Sequence, residues 1–254
     1  MNMKNVINHF KTICDHKKWV FYYCCKTGIP WRGIKHDISK FSPTEFFESI
    51  KFYSGNDSPI NACKKANGYS KSWQHHKGRN THHYEYWTDN YDNGTTYIEM
   101  PFEDAVELIC DHFGASRVYL KDKFSFSKEY SWWEIKREKC AMNENTKRFV
   151  NLVYEAIDRK NGNISKILNK YTLWSIYQLS NIFKDFSDDK ILDIALDDGP
   201  LFNCHTDELK HPIRMTWFLL VWFLTHPYKN YICTKYKIDK LRKDLVKKFG
   251  INLI

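Results

Sequence analysis

The chain lacks a hydrophobic run long enough to cross a bilayer. Its longest apolar stretch, residues 217–224, falls far below the roughly 20 residues that a spanning helix requires, and it reads as a buried helix, so no membrane partner is expected. No N-terminal segment has the charged, apolar and small-residue regions of a signal peptide, which argues against secretion and for a cytoplasmic setting. A paired Cys-x-x-Cys framework is also missing: eight cysteines are scattered along the chain, with Cys14, Cys24 and Cys25 on one expected helix. This pattern fits reduced thiols better than disulfides or a structural zinc site, and no local context singles out a catalytic cysteine. No internal repeat is present.

What the chain does contain is apolar and aromatic material in helical order. With 254 residues, 43% hydrophobic and 17% aromatic, it can bury a full core as one large domain or as a domain with an appendage. Val6, Ile7, Phe10, Ile13, Val20 and Phe21 recur at helical spacing up to a stop at Gly28. Ser42-Pro43-Thr44-Glu45 has the form of a capping box that opens a helix ending near Tyr53. Residues 54–69, rich in Gly, Asn, Ser, Pro and Lys, read as a loop, either a plain surface loop or a flap over a site. Residues 90–100, with Asn93-Gly94, read as a small hairpin or an irregular loop. Residues 103–121 form a further helical pattern, and two more helices fall within 127–157. The fold class expected is all-α. A plausible linker at 159–163 divides a first domain, 1–157, from a C-terminal helical region, 158–254, with patterns at 164–186, 188–196, 212–225 and 235–249.

The chemistry concentrates in histidines and acids. His36-Asp37-Ile38-Ser39-Lys40 places an imidazole and a carboxylate side by side, able to converge on one cation, with a lysine behind them. Taken alone, such a pair is most simply a surface dipeptide. His16 lies in the first helical run, residues 75–83 hold four of the chain's 11 histidines, and Asp111 sits on or beside an apolar helix face where a carboxylate needs a partner. His9, His112, His205, His211 and His226 lack partners at matching spacing and read as structural or surface residues.

The order His, His-Asp, histidines, Asp resembles the HD superfamily of metal-dependent phosphohydrolases. His36-Asp37-Ile38-Ser39-Lys40-Phe41-Ser42-Pro43-Thr44-Glu45-Phe46 and Asn80-Thr81-His82-His83-Tyr84-Glu85-Tyr86-Trp87 are more narrowly similar to an uncharacterised family common in bacteriophage genomes. For a viral chain, the compartment would be the host cytoplasm. The resemblance implies an HD-like helical core and a metal site of His16, His36, Asp37 and Asp111, with His76, His82 and His83 as candidates for a second ion. HD proteins carry such histidines on long regular helices, whereas Gly78 and Asn80 predict a break here. The break leaves open which of His75 and His76, and which of His82 and His83, turns to the site; the other of each pair is free to bond backbone or a carboxylate such as Glu85.

One or two divalent ions (Mn, Fe, Co, Ni, Zn or Mg) are the implied cofactors, and a small phosphorylated molecule such as a nucleotide is the implied substrate. Catalytic roles are expected for Asp37, for Lys40 as a neutraliser of phosphoryl charge, and for Glu85 as an orienter of water. Lys77 and Arg79 are further phosphate-binding candidates, and Lys40 paired with Glu45 on the surface is the plainer alternative. HD-like proteins also include di-iron oxygenases, and a non-catalytic protein binding nucleic acid or a host protein is a third class. Residues 229–248 hold eight Lys or Arg against two Asp, a basic stretch with interleaved Tyr231 and Tyr236. It is a candidate nucleic-acid contact or simply a solvated helix face. The C-terminal region carries no catalytic motif and suits partner binding, homo-oligomer formation or closure of the site.

Overall fold

The computed structural model describes residues 2–196, and within them the chain is all-α apart from one small hairpin. The expected helices at 212–225 and 235–249 and the basic segment 229–248 lie outside the described residues. Among the described residues no helix is long and apolar enough to cross a membrane.

Helix α1 (Met3–Lys26) starts at Asn2, whose side chain accepts the Lys4 N–H, and buries His9, Ile13, His16, Val20, Tyr23 and Cys24. Their alternating steps of four and three make one stripe along the helix. Gly28, at φ 79°, makes the left-handed turn that ends the run. Short helix α2 (Pro30–Lys35) follows and packs back on α1, where Gly33 leaves no room for a Cβ between Cys24 and Phe21. Helix α3 (Pro43–Phe52) begins at the capping residues foreseen, with Ser42 Oγ accepting the Glu45 N–H at 3.4 Å.

The stretch 54–69, expected as a loop, instead holds helix α4 (Pro59–Asn67). Its signals are Pro59 at the first helical position after Ser58 and Gly68 at φ 77° just past the end, which the polar composition masks. Helix α5 (Lys71–Lys77) stops at Gly78, as Gly78 and Asn80 predict. Strands β1 (Thr88–Tyr91) and β2 (Gly94–Tyr97) form the antiparallel hairpin, with Tyr91 opposite Gly94, so its two-residue turn is Asp92-Asn93.

Helix α6 (Phe102–Leu120) is the central post, buried over most of its surface, and α1 runs along it. The two approach most closely at Gly114, where any Cβ would collide with the fully buried Val20. Helices α7 (Phe126–Arg137) and α8 (Glu144–Arg159) pack on each other, with Trp133 stacked on Tyr154 at 5.4 Å. The first compact unit extends to Leu173, beyond the linker proposed at 159–163, because Ile167 and Leu168 are buried in it. A second unit begins at Trp174, within helix α9 (Lys170–Ile182), and its described part continues through α10 (Asp188–Ala195), where Ile191 and Leu192 are buried.

Candidate metal centre

The His36-Asp37 doublet lies between two short helices, not within one. His36 closes α2, and Asp37 adopts a left-handed conformation at φ 53° before a short 3-10 turn over Ile38–Phe41. Aspartate is among the few residues that tolerate this backbone, and the reversal lets adjacent side chains face one place. α1 and α6, lying side by side, bring His16 and Asp111 to the same point.

Four side chains meet there. His16 Nε2 stands 3.1 Å from His36 Nε2, 3.3 Å from Asp37 Oδ2 and 3.0 Å from Asp111 Oδ1. His36 Nε2 is 3.2 Å from Asp37 Oδ2 and 3.4 Å from Asp111 Oδ1. Donors bound to one ion at roughly 2.0–2.1 Å lie about 3.0 Å apart at a right angle and about 3.4 Å apart at the tetrahedral angle. The observed separations match those expected for the edges of a coordination shell.

The other oxygen of Asp37 serves a second group. Oδ1 is 3.2 Å from His76 Nε2 and 3.5 Å from His82 Nε2, and with His83 these residues offer donor atoms all within 4.8 Å of one another. All seven candidate ligands, His16, His36, Asp37, His76, His82, His83 and Asp111, thus fall into two groups that share Asp37. His75 is not among them.

Two carboxylates that sequence reasoning missed stand behind the histidines. Glu107 Oε1 lies 2.8 Å from His36 Nδ1 and 3.2 Å from His82 Nδ1, while Glu107 Oε2 accepts from Arg32 Nε at 2.6 Å. Arg32 also bonds Asp104 and Thr81. Glu45 takes His75 Nδ1 at 2.6 Å on one oxygen and His76 Nδ1 at 2.7 Å on the other. An ionised carboxylate only accepts, so the proton of His36, His76 and His82 belongs on Nδ1 and the lone pair on Nε2. Glu85 does not play this part. Glu107 was legible in principle, since it lies four residues before Asp111 on the same helix face. Glu45 appeared only as a capping residue.

The donor set fits a cation. Asp37 Oδ1 and the Nε2 atoms of His82 and His83 are buried without a hydrogen-bond partner, while Asp37 Oδ2 has the Lys40 ammonium against it. Leaving such atoms unsatisfied costs about 1–3 kcal/mol each, more for a charged group, and a cation in the second group would satisfy all three. The electrostatics agree. Burial opposes the charge on Asp37, yet His36, Lys40 and His76 outweigh it and hold the carboxyl well below its usual range. Contacts with His16 and His36 likewise outweigh burial at Asp111. Glu107 is pulled down to about 2 by His36 and His82 against the same opposition. Burial, reinforced by His82 and His76, drives His83 well below the ordinary imidazole value, keeping it neutral and able to ligate.

A cavity of about 270 Å³ opens on the cluster, with His16, His76, His83, Asp111 and Lys40 in its wall. Lys40 Nζ pairs with Asp37 Oδ2 at 2.5 Å, not with Glu45. Glu85 also faces the cavity, and its buried Oε2 has no partner. Lys77 and Arg79 do not line it: Arg79 is exposed and donates to the His75 carbonyl at 3.4 Å. Beside Lys40, the lysines that do are Lys64 and Lys136, which sequence reasoning did not single out, and α4 with its capping Ser58 contributes Ile60 and Asn61 to the lining. His9, read as structural or surface, is buried between Phe46 and Tyr53 at the cavity edge, and His112 bonds Tyr154 Oη at 3.1 Å.

Fold and site together define an all-α protein with a buried histidine–carboxylate cluster able to hold metal. The chain belongs to DUF5662, a family of unknown function whose model matches residues 5–157, a span that contains every residue of the cluster. No curated protein and no solved structure matches the chain.

Proposed function

We propose that the protein is a metal-dependent phosphohydrolase with an HD-like core, acting on a small phosphorylated molecule such as a nucleotide. The observation that carries this reading is the pair of donor groups sharing Asp37 beside a half-open cavity, with Lys40 against them. A divalent ion in such groups acts as a Lewis acid toward a phosphoryl oxygen and acidifies water.

The chain's own residues supply the rest. Lys40, held against Asp37, places an ammonium where a phosphoryl oxygen enters, and neutralises charge that grows on it as the phosphorus centre is attacked. Glu85 presents a free carboxylate oxygen to the cavity, positioned to hold a water and take its proton. As the water oxygen bonds to phosphorus, the bond to the leaving oxygen breaks, and that oxygen receives a proton from solvent or from Glu85. Glu45 and Glu107 keep the histidine rings fixed, so little reorganisation is needed during the reaction.

The test is metal analysis of the purified chain, followed by assay of nucleotides and simple phosphate esters with Mn, Co, Ni, Zn or Mg, alongside His36→Ala and Asp37→Ala. Metal-stimulated turnover that both variants abolish is the expected result. A chain that neither binds metal nor turns over any ester with it refutes the reading, and bound iron with oxygen uptake assigns the site to oxidative chemistry.

A further inference from the structure

The cavity wall carries a second cluster that the hydrolytic machinery does not use. Lys64 from α4 and Lys136 from α7 both line it and are half-buried, and neither has a carboxylate in salt-bridge contact among the described residues. Burying part of two ammonium groups in one small cavity is unfavourable unless something anionic shares it. The cost is visible at Lys64, whose pKa burial lowers, with Lys136 and Lys77 adding to the effect and Glu85 opposing it. Glu85 is the one carboxylate facing this wall that neither ligates nor props a histidine, so two lysines stand against a single acid.

Trp73 ties this pole to the cluster. Lys64 Nζ sits over its ring at 4.1 Å, and the same ring meets His83 edge-on at 5.0 Å. An ammonium already covers a face of Trp73, so that face does not offer a stacking platform to a planar base. The cavity, at about 270 Å³, is also just below the range of roughly 300–1,000 Å³ typical of pockets for drug-sized ligands. Both facts select a compact, highly charged occupant.

We propose that Lys64 and Lys136 form an anion-binding pole in the same cavity as the histidine–aspartate cluster, and that the substrate is a compact molecule with two anionic groups. One group is the phosphoester at the cluster, and the other is a carboxylate or second phosphate at the lysine pair. The phosphoester half rests on the hydrolase reading; the anion pole does not.

The test compares two probes on the metal-loaded full chain by calorimetry: methylphosphonate, with one anionic group, and 3-phosphonopropionate, with two. Wild type should bind the second about 10- to 100-fold more tightly, the gain expected of charge-assisted contacts to two lysines. In Lys64→Met/Lys136→Met that gain should vanish while methylphosphonate affinity is unchanged; Lys64→Gln/Lys136→Gln serves if the methionine variant does not fold. Equal affinity for both probes in wild type, failure of the two-anion probe to bind, or a gain that survives the double substitution overturns the proposal. The hydrolase reading fails separately, through absent metal-stimulated turnover of p-nitrophenyl phosphate, a single-anion ester that does not need the lysine pair.

Discussion

Glu107 supports both donor groups at once, and Glu107→Gln isolates that role. Its Oε1 takes His36 Nδ1 at 2.8 Å and His82 Nδ1 at 3.2 Å, one histidine from each group, whereas Glu45 reaches His76 from the second group alone and His75, which is no ligand. Glutamine keeps the volume, leaves Arg32 its contact with Asp104, and replaces charge-assisted bonds with neutral ones about half as strong. Losing a carboxylate behind a ligating histidine typically weakens metal binding about 10- to 100-fold. Glu107→Gln should therefore lower both affinities by about that factor, while Glu45→Gln lowers only the second. Titration of the chelator-stripped chain with Mn2+ by calorimetry reads both sites, and circular dichroism verifies the fold of each variant. If Glu107→Gln shifts only one site, or neither by more than about threefold, the two-group assignment is wrong.

The same division predicts metal content: His16→Ala and His83→Ala should each retain one ion by elemental analysis, and Asp37→Ala none, with two ions in any single-group variant counting against it. Gly114→Ala should cost about 1–3 kcal/mol in denaturant unfolding, because its Cβ enters the space of Val20 where α1 meets α6, and Val20→Ala should recover part of the loss. Burial raises the Glu129 carboxyl to about 7 against a weaker opposing contact with Ser116. Its neutral form is favoured in the folded chain, so it imposes no penalty below about pH 4.5, and stability is lost as pH rises toward 7. The loss should be about 2–3 kcal/mol in unfolding free energy between pH 4.5 and 8, and Glu129→Gln should flatten it; an unchanged slope refutes the assignment.

Periodicity and capping carried most of the fold. The buried stripe of α1, the Ser42 cap and the post around Asp111 all follow local rules of spacing that survive tertiary packing. α4 was missed because its helix depends on end signals, Ser58-Pro59 and Gly68, while its interior is polar and offers mainly Cys63 to the core. The ligands were legible because few residue types ligate and they recur in a familiar order. Their supports were not. Glu45, Glu107 and Arg32 are ordinary charged residues until the fold places the two acids against imidazole nitrogens and the arginine against Glu107, across gaps of 30 to 75 residues. Lys77 and Arg79 were nominated by nearness in sequence to the histidines, but neither lines the cavity, and distant α4 and α7 supply the lysines that join Lys40 there.

The buried cluster can be filled by protons or by cations, and alignment separates the two. Burial disfavours a charge on His36 and His76, but Asp37 and the carboxylates behind the rings raise both pKa values, so protons compete for the same lone pairs. Were protons the intended occupants, the ring N–H groups would point at the Asp37 oxygens as they point at Glu45 and Glu107. Instead, ring nitrogens approach Asp37 to 3.2–3.5 Å without a hydrogen bond from any ring, and the Lys40 ammonium alone pairs with Oδ2. Hydrogen-bond partners aim at each other, whereas ligands of an ion aim at a point between them and come close without alignment. The rings are aligned on the outer side, toward Glu45 and Glu107, and unaligned toward Asp37 on the inner side. Asp37 in its left-handed turn, with one oxygen in each group, is the residue around which that asymmetry is built.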